Sequence, residues 1–203
     1  MKERPILFSS PMVRAILEGR KTQTRRTVKP QPVKLSGPNL DGLWSDTVLP
    51  VVRYFACPYG VPGDRLWVRE TWCAWDTTEE DIECDEVEGN VASLVERGIG
   101  RYHVTYRADP NRYANKWRPS IFMPRWASRI TLEIEAVRVE RLQEISEDDA
   151  LKEGVSTMVR IGGVEFESTA RLEFGKLWES INGPGSWDAN PWVWVIQFRR
   201  VTP

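Results

Sequence analysis

Apolar and polar residues alternate in several short stretches of the chain, which is the pattern of β-strands with one buried face. The longest such stretch runs from Arg129 to Leu142. Its apolar residues keep one parity as far as Ala136 and change to the other parity at Val137, which indicates a β-bulge that bends a sheet. Strands are predicted at Arg4–Ser9, Arg65–Trp72, Arg101–Arg107, Arg129–Leu142 and Trp192–Val201.

Three segments carry helix signals instead. Ser10, followed by proline, suits the start of a helix whose apolar residues recur at helical spacing until Gly19. Ser146 opens a second, short helix that has acids in its first turn and ends at Gly154. A third helix is predicted from about Ser168 to Ile181. Its apolar stripe comprises Phe174, Leu177, Trp178 and Ile181.

These elements together predict an α+β fold. Strands of mixed length, one bulge and few helices are typical of a small mixed β-barrel with flanking helices. The proline-rich residues 27–62 and the acidic segment Asp76–Glu88, which holds eight acids, are expected to be loops or exposed insertions. A chain of 203 residues forms one domain, or one domain with a sizeable insertion.

Composition narrows the function classes. The chain is 41% hydrophobic and 28% charged, with a net charge of −1, so a general nucleic-acid coat protein is excluded and only a local basic patch could bind nucleic acid. Three cysteines without a CxxC motif, and no signal-peptide pattern, predict reduced thiols in a cytoplasmic protein. With His103 as the single histidine, neither a metal site nor a cofactor is expected. No apolar run approaches the length of a membrane span, so no membrane partner is expected.

The segment Gly19–Arg26 (GRKTQTRR) carries the most chemistry. If it is extended, Thr22, Thr24 and Arg26 share one face, and Lys21, Gln23 and Arg25 share the other. Cations beside hydroxyls suit an anionic or strongly polar ligand such as a nucleotide. They also suit a hydroxyl nucleophile with a lysine neighbour. The plainer interpretation is a solvated basic strand.

Four segments of the chain together resemble an ASCH domain, a relative of the PUA fold. They are Gly19–Arg26, Pro62–Glu70 (PGDRLWVRE), Ile145–Val155 (ISEDDALKEGV) and Pro191–Phe198 (PWVWVIQF). The resemblance implies a PUA-like barrel that binds a nucleic acid or a nucleoside. The chain is about twice as long as the small bacterial members, through insertions at about 27–62, 76–120 and 156–190, and in this it is closer to phage-encoded ASCH proteins.

Small bacterial members of this family hydrolyse the amide of N4-acetylcytidine with a lysine, a threonine and a glutamate. The matching residues are Lys21, Thr24 and Glu153. The resemblance therefore implies an amidohydrolase that acts on N4-acylated cytidine or deoxycytidine, with a modified cytidine nucleoside as its ligand. The net charge of −1 and the few cations of Gly19–Arg26 predict only weak binding of RNA or single-stranded nucleic acid. Substrate contacts are expected from Arg20, Thr22, Arg26, Trp67, Glu70 and Trp72, with the two tryptophans as an aromatic wall.

Amide hydrolysis by these residues has definite requirements. Thr24 needs a base, and Lys21 can serve only if its pKa falls toward neutrality, which burial and neighbouring arginines favour. Because a carboxylate favours the ammonium, Glu153 is expected to orient groups or carry a proton rather than to form a tight ion pair. Lys21 and Thr24 lie on opposite faces of an ideal strand, so their contact requires a turn, which Gly19 permits.

Other interpretations stay open. Lys21 could contact a phosphate, Thr24 could be an ordinary β-branched strand residue, and Glu153 could be a surface carboxylate. The main alternative to the hydrolase is a non-catalytic module that binds RNA or modified nucleic acid through the same pocket. A nuclease ranks last, since the sequence offers no carboxylate cluster or histidine pair for cleavage.

Overall fold

A computed structural model describes residues 1–31, 33–34, 44–45, 56–76, 102–110, 116–161 and 164–201. The helices of this part are α1 (Ser10–Leu17), α2 (Glu147–Lys152) and α3 (Ala170–Asn182). Its strands are β1 (Glu3–Leu7), β2 (Gln23–Thr27), β3 (Val33–Lys34), β4 (Trp44–Ser45), β5 (Arg65–Arg69), β6 (Trp72–Asp76), β7 (Tyr102–Tyr106), β8 (Thr131–Arg141), β9 (Met158–Ile161), β10 (Val164–Glu167) and β11 (Trp192–Val201).

Five strands form the main sheet, in the order β1-β5-β8-β11-β2. β1 and β5 are parallel, and the other neighbours are antiparallel. Among the described residues this sheet is open, with β1 and β2 at its edges, so the expectation of a closed barrel is wrong. The α+β class is confirmed.

The long strand β8 contains the bulge that its sequence indicates. Ile134 pairs with Phe198 and Ala136 pairs with Gln197, so Glu135 is the extra residue on β8. The change of parity in the sequence appears at Val137, two residues later. Before the bulge Leu132 and Ile134 are fully buried, whereas Val139 beyond it is 42% exposed.

The core lies between the main sheet and α1. Alternate residues of β5 and β8 turn inward, and α1 adds its apolar stripe; the cluster includes Ile6, Phe8, Val13, Ile16, Leu66, Val68, Leu132, Ile134, Ile196 and Phe198. A second cluster joins α2 and α3 to β11 through Leu142, Ile145, Ala150, Phe174, Trp178, Val193 and Val195. The two clusters lie on either side of β11, whose consecutive residues Val193–Ile196 are all buried.

Most of the predicted elements are confirmed, and one is divided. The segment predicted as a single strand at Arg65–Trp72 is β5 followed by β6, which pairs with β7 instead of joining the main sheet. The acidic segment lies outside the described residues except for Asp76, as does most of 27–62. Cys73 is disulfide-bonded and Cys57 is free, so the expectation of reduced thiols is wrong for Cys73.

Candidate active site

A tight turn between α1 and β2 carries Lys21 into the interior. Gly19 has a φ of +75°, and the amides of Arg20 and Lys21 both donate to the carbonyl of Ala15, which closes the C-terminus of α1. Lys21 precedes the first residue of β2 and is 3% exposed. Because Lys21 lies before β2, the alternation of faces within a strand does not fix the direction of its side chain relative to that of Thr24.

Glu153 lies at the C-terminal end of α2. Ser146 caps this helix by accepting from the Asp149 amide at 3.1 Å, and the Lys152 carbonyl accepts from the Thr22 amide at 2.9 Å. The next residue, Gly154, has a φ of +85°, and a Cβ there would lie 2.9 Å from Lys21 Cβ and 2.8 Å from Ala15 Cβ. Only glycine lets the backbone after α2 approach Lys21 this closely.

Lys21 and Glu153 form a buried ion pair. Lys21 Nζ lies 2.8 Å from Glu153 Oε2, and it also donates to the carbonyls of Gln23 and Glu153, each at 2.8 Å. These contacts use all three ammonium donors. Burial lowers the pKa of Lys21 below its ordinary value of 10.5, and the charge and hydrogen bond of Glu153 oppose that shift. The expectation that Glu153 avoids a tight ion pair is therefore wrong for this state.

Thr24 lies on β2 beside this pair and is 1% exposed. Its Oγ1 accepts a hydrogen bond from Arg26 Nη1 at 2.9 Å. Because Lys21 has committed its three donors elsewhere, the structure gives Thr24 and Lys21 no direct hydrogen bond. Arg26 also donates to the Leu7 carbonyl and stacks over the Phe8 ring at 5.2 Å. Within the described part of the chain, Arg26 makes no ion pair with a carboxylate.

Arg25 holds the other oxygen of Glu153. Its fully buried guanidinium donates from Nη1 to Glu153 Oε1 at 3.0 Å and from Nε to Glu140 Oε1 at 3.0 Å, and Nη2 lies 3.2 Å from Asp149 Oδ2. Arg138 bonds the remaining oxygen of Glu140 and shares Asp149. Three cations and three carboxylates thus balance one another, with Glu153 fixed by one cation on each oxygen.

Lys21, Thr24 and Glu153 all line one cavity of about 510 Å³. That volume is typical of small-molecule sites. Arg26 lies on the same wall, together with the hydroxyl-bearing residues Ser9, Thr27, Thr71 and Ser120. The apolar part of the wall is made by Leu7, Phe8, Met12, Phe174, Leu177, Trp178 and Ile181.

The other predicted substrate contacts lie away from this cavity wall. Arg20 is exposed, pairs with Glu18 and donates to the Gly154 carbonyl. Thr22 is also exposed, although its backbone joins α2 and β11 to this region. Both residues therefore support the turn without facing the cavity.

Trp67, Trp72 and Glu70 also lie elsewhere. Trp67 is half-buried between the guanidinium groups of Arg69 and Arg125, at 4.9 Å and 6.0 Å from its ring. Trp72 is 2% exposed and packs edge-on against Trp126 in a separate apolar cluster.

Glu70 is 1% exposed and forms a two-pronged ion pair with Arg129 at 3.0 Å and 3.1 Å. Burial raises the pKa of Glu70, and the Arg129 guanidinium opposes the shift. Arg129 also pairs with Asp109 and lies 3.8 Å from the centre of the Tyr106 ring. This arrangement ties β5 to the segments that follow β7 and is a structural ion-pair cluster.

The aromatic wall and Arg25 are the features that sequence reasoning missed. Phe174 and Trp178 belong to a stripe at helical spacing, which is equally the signature of a core-facing helix. The spacing located α3 correctly, but it carries no information about whether the buried face meets a core or a cavity. Arg25 was expected only to lower the pKa of Lys21 by its charge, which it does. Its burial among three carboxylates was not predicted, because a basic residue in a basic run gives no sign of being fully buried.

Comparisons with protein-family models, with curated proteins and with solved structures found no match to this chain. No helix in the described residues is both long enough and apolar enough to cross a membrane.

Proposed function

We propose that this protein is an amidohydrolase that cleaves the N4-acyl amide of acylated cytidine or deoxycytidine. The observation that carries the proposal is the buried ion pair between Lys21 and Glu153, next to Thr24 on the wall of a cavity of about 510 Å³. A buried lysine with a lowered pKa and a buried threonine on the wall of the same cavity supply the groups that a base and a nucleophile require. The resemblance of Gly19–Arg26 and Ile145–Val155 to the ASCH family supports the same chemistry.

In the first half-reaction Thr24 Oγ1 attacks the acyl carbonyl carbon while neutral Lys21 takes the hydroxyl proton. The tetrahedral oxyanion collapses, the bond to N4 breaks, and Lys21 returns the proton to N4, so that cytidine leaves with a free amino group. The acyl group stays on Thr24 as an ester. Arg26, which donates to Thr24 Oγ1 and has no carboxylate partner among the described residues, is placed to stabilise the developing negative charge.

In the second half-reaction water attacks the ester. Lys21 accepts the proton of the water and then delivers it to Thr24 Oγ1 as the carboxylic acid leaves. Glu153, held by Arg25 on one oxygen and by Lys21 on the other, orients the lysine throughout. Its negative charge also keeps the ammonium form accessible, so that Lys21 can act in turn as base and as acid.

The proposal includes a PUA-like architecture for the whole chain as a single ASCH domain with insertions. Supporting features are α1, the glycine turn that leads into the basic edge strand β2, and the bulged pairing of β8 with β11. α3, which falls in the expected insertion 156–190, adds part of the cavity wall to that frame.

The direct test is to incubate the pure protein with N4-acetylcytidine and with its deoxy counterpart and to measure release of the free nucleoside. We expect turnover of at least one substrate, and none by the Thr24→Ala variant under the same conditions. A parent protein that releases no nucleoside from any N4-acylated substrate would exclude the hydrolase.

A non-catalytic nucleic-acid-binding module is the second candidate, and one observation favours it. Trp67 lies outside the cavity on the outer face of β5, flanked by Arg69 and Arg125, and aromatic rings beside arginines bind single-stranded nucleic acid. The net charge of −1 limits such binding to weak, salt-sensitive contacts. Submicromolar RNA binding at physiological salt, without turnover, would favour the module.

The proposal also places the protein in the cytoplasm, where nucleosides are recycled. A structural disulfide does not persist in that compartment, so Cys73 would be reduced there, in contrast to its bonded state in the structure. Thiol counting on protein that is alkylated as the cells are opened decides this: alkylation of all three cysteines agrees with the cytoplasm, and a retained disulfide argues against it.

A further inference from the structure

The apolar stripe of α3 reaches the same cavity as the reactive groups. Phe174, Leu177, Trp178 and Ile181 all line it, and Phe174 lies under the guanidinium of Arg25 at 5.8 Å. Ile181 is 65% exposed, so the stripe runs from the buried charge network out to solvent. Because Phe174 and Trp178 are only 3% and 5% exposed, the part of the stripe that is open to an apolar group of a ligand is its outer end at Leu177 and Ile181.

The residues of the cavity wall are unevenly distributed. α3 supplies four apolar side chains and one amide, Asn182, whose Nδ2 donates to the Trp178 carbonyl. The hydroxyl-bearing residues Ser9, Thr27, Thr71 and Ser120 come from other segments, together with the apolar Leu7, Phe8 and Met12. A nucleoside carries several hydrogen-bonding groups, and these lose free energy if they are buried against an apolar wall without partners. The nucleoside therefore belongs on the hydroxyl-bearing side, and the acyl group belongs on the α3 side.

We propose that the α3 wall is the acyl-binding part of the active site, and that the preferred substrates are N4-acylcytidines with aliphatic acyl chains longer than acetyl. This inference rests on the proposed hydrolase. When the reacting carbonyl lies at Thr24 Oγ1, the acyl chain and the nucleoside extend in opposite directions from the carbonyl carbon. An acetyl group ends after one methyl, whereas the wall continues along α3 to Ile181.

The test compares kcat/KM for N4-propanoylcytidine and N4-hexanoylcytidine, whose amides have similar intrinsic reactivity. Each buried methylene favours the transition state about fourfold. We expect the hexanoyl substrate to exceed the propanoyl substrate by at least tenfold in the parent protein. A ratio of one or less would overturn the inference.

Two variants on the same helix provide the matched comparison. Ile181→Ser, at an exposed position on the cavity wall, should lower the hexanoyl-to-propanoyl ratio severalfold. Leu172→Ser, at a 54% exposed position away from this cavity, should leave the ratio unchanged. The assignment of the α3 wall to the acyl group would be contradicted if Ile181→Ser kept the hexanoyl-to-propanoyl ratio of the parent. It would also be contradicted if Leu172→Ser lowered that ratio as much as Ile181→Ser does.

Binding separates this inference from the hydrolase itself. The affinities of the Thr24→Ala variant for both acylcytidines are measured by calorimetry, with and without Ile181→Ser. Tighter hexanoyl binding that Ile181→Ser removes supports the apolar subsite, and if the parent protein releases no cytidine from either compound, the hydrolase is excluded while the subsite stands. Equal affinities, or no binding of either compound, exclude the subsite.

Discussion

Lys21 Nζ and Glu153 Oε2 lie 2.8 Å apart, although 132 positions separate them in the sequence. The contact joins the turn after α1 to the end of α2, and both side chains are almost completely buried. A buried ion pair is costly to desolvate and is weak evidence for a stabilising role. Both residues line the same cavity as Thr24, and the proposed hydrolase would use the pair there.

Replacement of Thr24 by alanine should abolish turnover while the protein stays folded. Loss of the nucleophile is expected to lower kcat by roughly three orders of magnitude or more. Thr22→Ala, which changes an exposed threonine two residues away, is the matched control and should keep most of the activity. Mass spectrometry of the parent protein, quenched during turnover, should detect one acyl group on the peptide that contains Thr24. Full activity of Thr24→Ala would instead show that water attacks the amide directly.

The rate should rise with pH on the acid side of the profile. Burial lowers the pKa of Lys21 from its ordinary 10.5, so below that lowered pKa the ammonium cannot accept a proton, and above it the neutral amine can. A plot of kcat/KM against pH should therefore climb and level off below pH 10.5. A rate that falls as Lys21 loses its proton would instead mean that its charge binds the substrate.

Glu153→Gln should move the rising part of the profile of kcat/KM against pH to lower pH. The carboxylate raises the pKa of Lys21, and the amide keeps the hydrogen-bonding shape without the charge. If Glu153 orients Lys21 and raises its pKa, we expect the variant to keep residual activity, with kcat/KM rising at lower pH than in the parent. If the rising part of the profile does not move, a group other than Lys21 controls it. If the variant is inactive at every pH, Glu153 has an obligatory role in proton transfer.

Gly154→Ala should lower activity through the position of Lys21. The added Cβ would lie 2.9 Å from Lys21 Cβ in a backbone with a φ of +85°, so one of the two segments must move. Gly63→Ala is the control, since Gly63 has a φ of +88° but nothing within 4 Å of its added Cβ. Both variants should lose about 1 kcal/mol from backbone strain, whereas only Gly154→Ala should lose turnover. Equal activities would show that the close approach is unimportant.

Arg25→Met should strongly destabilise the fold. Its removal leaves Glu140, Asp149 and Glu153 without the guanidinium that they share, and breaking a buried charge cluster in this way costs about 3–5 kcal/mol. Urea unfolding measures the change. Arg199→Met, which breaks an exposed pair with Glu133, should leave the urea midpoint almost unchanged. Similar midpoints for the two variants would show that the cluster contributes little.

Local periodicity explains why so much of the secondary structure was predictable. Alternation in β11 and in β8, and helical spacing in α3, are set by neighbours in sequence, and the strand Trp192–Val201 has the predicted bounds. The parity change near Val137 marked a bulge to within two residues, because a bulge reverses which parity faces the core.

The resemblance of Gly19–Arg26 and Ile145–Val155 to the ASCH family selected Lys21, Thr24 and Glu153 from the sequence, and all three line the same cavity in the structure. Trp67 and Trp72 were assigned to the pocket because aromatic residues suit a base. In the structure their rings pack on arginines and on Trp126, since large apolar surfaces are buried wherever partners exist.

The amino-acid sequence by itself determined the extents of the main strands and helices, because these follow from side-chain periodicity over a few residues. Only the tertiary structure decided that the sheet is open, that Arg25 is buried among three carboxylates, and that the stripe of α3 faces a cavity. These features depend on which distant segments meet. The sequence of an apolar helical stripe or of an arginine does not depend on what packs against it. It therefore cannot tell whether the partner is a core, a carboxylate or a ligand.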